Sequence, residues 1–367
     1  MTKQEEKVLE IIKNNPFIEQ AEIAKVLGIK RSTVGVHISN LQKHGYITGK
    51  GYILSSDNYV LGIGAANVDV YGKSRIKIRP HYDHPADIGS NVGGVTKNIL
   101  TNISKLGYNT KLITAIGDDG YGDLILKDCK LNNIDSNNVI VVPNASSGVF
   151  MQIQDENNDM HMALCDMSVL EHITPDYINS KKNLLLNSKL VFIDSSLRLD
   201  TLEKIIEICK NKVPIYIDPI SDNYAEKIKD YVGEFTCIKP NRTELEALCG
   251  SKLKNNSEIY KACEKLISKG LNKIFVSLGK DGLLYMDAEG NKIIKKLKPV
   301  TKMVNASGAG DATMAAIVYG TVNGLKIEET IDYALAAGIA AITSSKTIND
   351  NMSIKLLNKI LKENKYE

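Results

Sequence analysis

The sequence contains no C-x-x-C pair and no membrane-length apolar run, and each absence narrows what the chain can be. Its six cysteines (Cys129, Cys165, Cys209, Cys237, Cys249 and Cys263) are scattered singly, none beside a histidine in a ligand-like cluster. Neither a disulfide framework nor a zinc site is indicated, and reduced, mostly buried thiols are expected. The longest apolar stretches, such as ALAAGIAAI, fall far short of the roughly 18 residues that cross a bilayer. The opening MTKQEEKVLE carries acidic residues where a secretory leader has only basic ones. A cytoplasmic protein without a membrane partner is the expectation. No internal repeat or low-complexity linker interrupts the 367 residues. With 43% hydrophobic and 24% charged residues, the composition suits a globular chain. Its length suits one large domain plus a small one.

The net charge of +3 is not evenly spread: residues 1–54 hold eight Lys or Arg and five Asp or Glu, and the remainder balances at 38 of each sign. An excess this small permits contact with nucleic acid without demanding it. Within this segment Val8, Leu9, Ile11 and Ile12 recur at helical spacing until Asn14, Asn15 and Pro16. Ile23, Val26 and Leu27 mark one face of a second helix stopped by Gly28, and KRSTVGVHISNLQKHGYI opens a third with Ser32 or Thr33 as its cap. HGYITGKGYIL then reads as a hairpin around Thr48 to Gly51. Over residues 3–54 this pattern resembles the winged helix-turn-helix domains of bacterial regulators. The resemblance implies a DNA partner, with Arg31, Ser32, Thr33 and His37 reaching base edges and Lys43 and Lys50 reaching phosphates. It also implies a homodimer, since such modules act in pairs. A module for protein contacts alone is the alternative, because Gly35 weakens the third helix. The division expected is 1–56 for this module and 57–367 for the rest.

From Tyr59 onward, short runs rich in β-branched residues (YVLGIGAA, KLITAI, NVIVV, KLVFID, PIYID, FTCI, KIFVSL) alternate with helical stretches. That alternation predicts an α/β fold with a largely parallel sheet covered on both faces, whose sites gather at the carboxyl ends of the strands. SSGVFMQIQDENNDMHMALCD breaks it with a hairpin suited to a small lid, which Met160, Met162 and Met167 would pack.

NASGAGDATMAA, residues 305–316, places Gly308 and Gly310 at the start of an Ala-rich helix. Unpaired N–H groups and the positive end of the helix dipole make such a start an anion site, and Asp311 beside it suits a base that deprotonates an attacking hydroxyl. Read alone, a tight turn with a capping Asp fits equally well. Other stretches join it. Asn67 and Asp69 end a predicted strand. Gly93 and Gly94 precede a helix with Ile99, Ile103 and Leu106 on one face, Asn98 in its first turns and Gly107 as its stop. CIKPNRTELEALCG puts Asn241 and Glu244 on one helical face, with Glu246 a competitor. FVSLGKDG runs from a strand into a glycine turn.

In order, spacing and wording, these motifs resemble the ribokinase-like (PfkB-type) carbohydrate kinases over roughly residues 59–365. The resemblance implies a ribokinase-like α/β/α sandwich with a small β-sheet lid, using ATP and Mg²⁺ and open to a monovalent cation such as K⁺. It implies Asp311 as catalytic base and Gly308, Ala309 and Gly310 as the anion hole. Glu244, through water, and Asn241 would organise magnesium and the nucleotide phosphates. Asn67, Asp69, Gly93, Gly94 and Asn98 would hold the sugar, and Ser277, Gly279 and Gly282 the nucleotide. It places Asp118, Asp119 and Asp123 of GDDGYGD in a structural turn rather than a metal site. Many family members carry Asp-Thr-x before the glycines, whereas this chain has Asn305-Ala306-Ser307; the base is kept, and phosphate or cation contacts from those side chains are put in question.

NVGGVTKNILTNISKLG, CDMSVLEHITPDYI, DPISDNYAEKI and TINDNMS further resemble bacterial pseudouridine kinases, some of which carry an N-terminal helix-turn-helix. The reaction implied is phosphorylation of the ribose 5′-hydroxyl. Another nucleoside or sugar kinase, or a nucleoside-sensing transcription regulator on a kinase fold, are the alternatives. Spacing does not identify the residue that selects the base; Lys97 and Asp166 are candidates by position only.

Overall fold

In the computed structural model the described residues are 1–49, 58–157, 159–298, 303–304 and 307–364. The boundary between 1–56 and 57–367, Lys50 with the second half of the expected hairpin, and the Asn305-Ala306 departure lie outside them.

Apolar residues at helical spacing build three short helices, Lys3–Asn14, Gln20–Leu27 and Arg31–Lys43, around Val8, Ile12, Ile23, Val34, Ile38 and Leu41. Thr2 and Glu5 cap the first helix reciprocally. The Glu5 carboxylate also accepts from Asn40 Nδ2 at 3.0 Å, tying the first helix to the third. Gly28 ends the second helix with a left-handed φ of 65°, as expected. Three local expectations are corrected. Val26 is 66% exposed, because the short second helix buries only Ile23 and Ala24 deeply. The third helix begins at Arg31 after Lys30, so Ser32 and Thr33 lie inside it and neither side chain caps it. His37 is half-buried, its Nδ1 enclosed and 3.9 Å from Glu5 Oε1, which turns that nitrogen toward the three-helix core rather than outward.

The β-branched runs form a nine-stranded sheet. Its spatial order is Lys292–Lys295, Leu283–Asp287, Lys273–Ser277, Cys237–Ile238, Ile215–Asp218, Leu190–Asp194, Val60–Ile63, Thr110–Ile113 and Ile134–Asp135. The first two of these are antiparallel additions; the rest run parallel. Alternate residues feed two cores: Leu61, Ile63, Val191, Ile193, Ile215 and Ile217 on one face, Val60, Leu190, Phe192, Tyr216 and Phe275 on the other. Burying each such Val, Leu, Ile or Phe contributes roughly 1.5–3 kcal/mol. Helix Ala309–Val322 is apolar on nearly all sides because it is enclosed by helices Val95–Lys105 and Ile327–Ile342.

A second sheet of four strands stands off the first: Ala86–Gly93, Asn67–Ser74, Val149–Gln154 and Met160–Asp166. The expected hairpin supplies two of them. The other two correct the sequence reading, since Asn67 and Asp69 begin a lid strand rather than end a core strand. Met160 and Met162 are 62% and 50% exposed and do not pack the lid; Met167 alone of the three meets the core. Cys165 on this lid is likewise exposed, while Cys129, Cys209, Cys237 and Cys263 are buried and all six thiols are free.

Candidate active site

The carboxyl ends of the parallel strands bring the predicted residues together. Helix Ala309–Val322 starts at Gly308, whose φ of 79° is left-handed and whose Cα lies so close to the Thr347 carbonyl that a Cβ would overlap it. Three residues on, Asp311 sits in the first turn, half-buried, and its Oδ2 accepts from Asn98 Nδ2 at 3.0 Å. Burial, then the nearby charge of Asp218, push the Asp311 carboxyl up to about 7, against the pull of Asn98 and Lys239. Asn98 Oδ1 is buried and has no donor among the described residues, an acceptor left open at the cleft.

Gly94 starts helix Val95–Lys105 with φ 98° against the Ala65 carbonyl, which sets Asn98 one turn into the helix and opposite Asp311. On the lid side, Asp69 Oδ1 accepts from Asn67 Nδ2 at 2.7 Å, and burial raises its pKa. The residues expected to hold the sugar, Asn67, Asp69, Gly93, Gly94 and Asn98, therefore converge on one cleft with Asp311.

Asn241 and Glu244 are corrected in their placement: Asn241 caps helix Arg242–Cys249 rather than lying on its face. Glu244 accepts back from the Asn241 backbone at 2.9 Å and from its Nδ2 at 2.7 Å. Burial, then Asp218, push Glu244 up to about 7. Glu246 is ruled out as its rival, being held by Lys252 and the Leu253 N–H. A cavity of about 270 Å³ next to this cap is lined by Asn241, Thr243, Asn256, Ser277, Gly279 and Asp281, among others. Gly282 does not line it; with φ 95° it makes the turn into the antiparallel strand against Lys295.

Two site residues were not anticipated. Lys239 is buried, 3.1 Å from Asp218 Oδ2, with its Nζ close to Gly310. Burial alone would lower its pKa, but Asp218, Glu244 and Asp311 together raise it, so it stays a cation beside the start of helix Ala309–Val322. Its signal was the Lys in IKPN, directly after a strand. Lys97 and Asp166 have partners of their own: Lys97 pairs with Asp128 at 2.7 Å, and Asp166 accepts from the Ser168 N–H at 2.9 Å. Asp119 caps helix Gly120–Leu131 and bonds Ser147, and among the described residues no group of three or more His, Cys, Asp or Glu could hold a metal. Glu244 and Asp218 nonetheless suit Mg²⁺, which takes one or two carboxylates through its waters together with substrate phosphates.

A buried cation and a helix start beside a carboxyl of raised pKa, with a cavity at the Asn241 cap, suit a phosphotransferase acting on an alcohol. Comparison agrees. Residues 57–354 match the pfkB family carbohydrate kinases and residues 1–48 a winged helix-turn-helix DNA-binding model. The chain is 30% identical over 353 residues, 96% of its length and 97% of the other's, to the uncharacterized sugar kinase YeiI of Escherichia coli (strain K12). It is also 30% identical over 298 residues to the pseudouridine kinase of the same organism, covering 81% of this chain and 94% of that one. Arabidopsis thaliana ribokinase, solved with ribose and ATP, shares the fold with a TM-score of 0.73 at 21% identity, over 83% of this chain and 99% of that one. The chain belongs to the pfkB family of carbohydrate kinases, with a winged helix-turn-helix before the kinase. It is an ATP-dependent sugar or nucleoside kinase. Among the described residues no helix is long and apolar enough to cross a membrane.

Proposed function

We propose that this kinase phosphorylates the ribose 5′-hydroxyl of pseudouridine. The observation that carries the chemistry is Asp311, a carboxyl pushed up to about 7 in the first turn of a glycine-capped helix and bonded to Asn98. Its Oδ takes the hydroxyl proton as the 5′-oxygen bonds to the γ-phosphorus of ATP and the bond from that phosphorus to its bridging oxygen breaks, releasing ADP. Charge gathering on the phosphoryl oxygens faces the N–H groups of Ala309 and Gly310 and the ammonium of Lys239. Mg²⁺, when bound, neutralises phosphate charge; Glu244 and Asp218 are the residues that would hold its waters. Asp69 and the open acceptor of Asn98 bind the ribose hydroxyls, and lid closure excludes water. The substrate reading is supported by the pseudouridine kinase relative and by the subfamily wording of the sequence.

The N-terminal module binds DNA in this reading, through the exposed Arg31, Ser32 and Thr33. A second copy of the chain pairs with it, as winged-helix modules do. Measuring ATP consumption with Mg²⁺ over pseudouridine, uridine, inosine, ribose and fructose tests the assignment, with Asp311→Asn alongside. Selective turnover of pseudouridine, lost in the variant, is expected. Turnover of another sugar would keep the chemistry and remove the substrate; binding without any turnover would favour a nucleoside-sensing regulator.

A further inference from the structure

The lid sheet has two chemically different faces. Strand pairing aligns residues in rows, and the members of a row share a face. Asn91, Asp69, Phe150 and Cys165 form one row; Gly89, Tyr71, Gln152 and Ala163 form the next. Asp69 identifies their face as the one toward the cleft, because it lies over Gly93, accepts from Asn67 and its charge is felt at Asp311. Tyr71 leans over Gly89 on the same side. Cys165 is near both Asp69 and Tyr224 of helix Asp222–Ile228, so this row spans the cleft toward the core. Alternate rows, with Val70, Met151 and Leu164 and then Ile153 and Met162, make the opposite, apolar face.

Along the cleft face the chemistry changes with distance from the start of strand Asn67–Ser74, where the lid leaves the core sheet. Nearest it are Asn67, Asp69 and Gly93, which suit hydroxyls. Phe150 stands in the Asp69 row on the neighbouring strand, and about 7 Å further out, one pair of residues along, come the ring of Tyr71 and the carboxamide of Gln152. The Gln152 amide and the Tyr71 hydroxyl make no hydrogen bond to another described residue. Two rings and an unengaged carboxamide beside and beyond Asp69 have no use for a free pentose.

Resting on the nucleoside reading above, we propose that Phe150 and Tyr71 form a stacking platform for a planar base whose ribose is held at Asp69 and Asn98, and that Gln152 reads the base's lactam edge. A carboxamide presents an acceptor and a donor side by side, the complement of the C=O and N–H that a uracil-type ring displays. Stacking tolerates any base, so the rings supply affinity and Gln152 supplies choice.

The test is kcat/KM of the full chain for pseudouridine, uridine, inosine, adenosine and ribose, in wild type, Phe150→Ala, Phe150→Tyr and Gln152→Leu, with Tm as a check on folding. Phe150→Ala is expected to lower kcat/KM for the preferred nucleoside about 10- to 100-fold, mainly through KM, with ribose changed less than about twofold. Phe150→Tyr restores it, and Gln152→Leu narrows the preference for lactam bases over adenosine, whose ring displays no C=O and N–H pair. Equal losses on ribose and nucleoside, or no loss on the nucleoside, would overturn the platform, as would a wild type that uses ribose as well as any nucleoside. A wild type that prefers uridine or inosine would remove the pseudouridine reading and leave the platform standing.

Discussion

Asp311 and Glu244 are both pushed up to about 7, chiefly by burial and next by Asp218, and the consequence differs for activity and for stability. A base works only when deprotonated, so kcat/KM is expected to climb with pH through about 7 and level off above it. Stability moves the other way. The folded carboxyls hold protons at pH values where the unfolded chain, with ordinary carboxyl pKa values near 4, has lost them; stability therefore falls as pH rises from about 4 to about 7. Keeping a charged Asp311 in place costs the fold on the order of a few kcal/mol above that window. Asp311→Asn is thus expected to cut kcat by about 10²–10⁴-fold and still to raise Tm at pH 8, with little gain at pH 5. Thermal melts at the two pH values read this directly, and an unchanged or lower Tm at pH 8 would contradict it.

Asp194 shows how whole elements are held at the spacing the site requires. Its carboxylate, fully buried at the end of strand Leu190–Asp194, accepts from the Ala65 N–H at 2.8 Å and Thr96 Oγ1 at 2.7 Å. The Ser196 N–H at 3.0 Å and the Ser196 hydroxyl complete it. One side chain so joins the loop leading to the lid strand, the start of the helix carrying Asn98, and its own strand. Asp194→Asn keeps the shape but points an amide at donors, which costs about 1–3 kcal/mol for each group left unsatisfied. The sugar KM is expected to rise about tenfold with a smaller change in kcat; a loss confined to kcat in steady-state kinetics would refute a positioning role. None of this is legible in the sequence, because Asp194 meets partners about a hundred residues away. The glycine-led helix starts at Gly94 and Gly308 were legible, since a helix start is a local matter, and so were the parallel strands, whose β-branched runs are continuous. Strand Ala86–Gly93 was missed because ADIGSNVG is half-exposed and lacks apolar alternation. His37 was misplaced because which face a short helix buries depends on its neighbours, here Glu5 of the first helix.

At the scale of the whole molecule, the kinase part is charge-balanced and the excess of +3 lies in the first 54 residues. Helix Arg31–Lys43 buries Val34, Ile38 and Leu41 and leaves Arg31, Ser32, Thr33, Val36 and Lys43 exposed. That face combines a cation and hydroxyls at the helix start with one apolar side chain, suited to phosphates, base edges and a thymine methyl. Arg31 makes no ion pair among the described residues, so truncating it removes charge from the exposed face while the Val34, Ile38 and Leu41 core keeps its contacts. Binding to DNA selected by the full chain from a random pool is expected to weaken steeply with salt, since phosphate contacts release counterions. Arg31→Ala is expected to lower that affinity at least about tenfold and to leave ATP consumption with the preferred substrate unchanged. Fluorescence anisotropy on the selected DNA and the kinase assay on the same preparation separate the two functions. Retained affinity would remove Arg31 from the contact, and a full chain that selects no DNA from the pool would turn the module's role to protein contacts, whereas loss of both activities would mean that the N-terminal helices support the kinase fold itself.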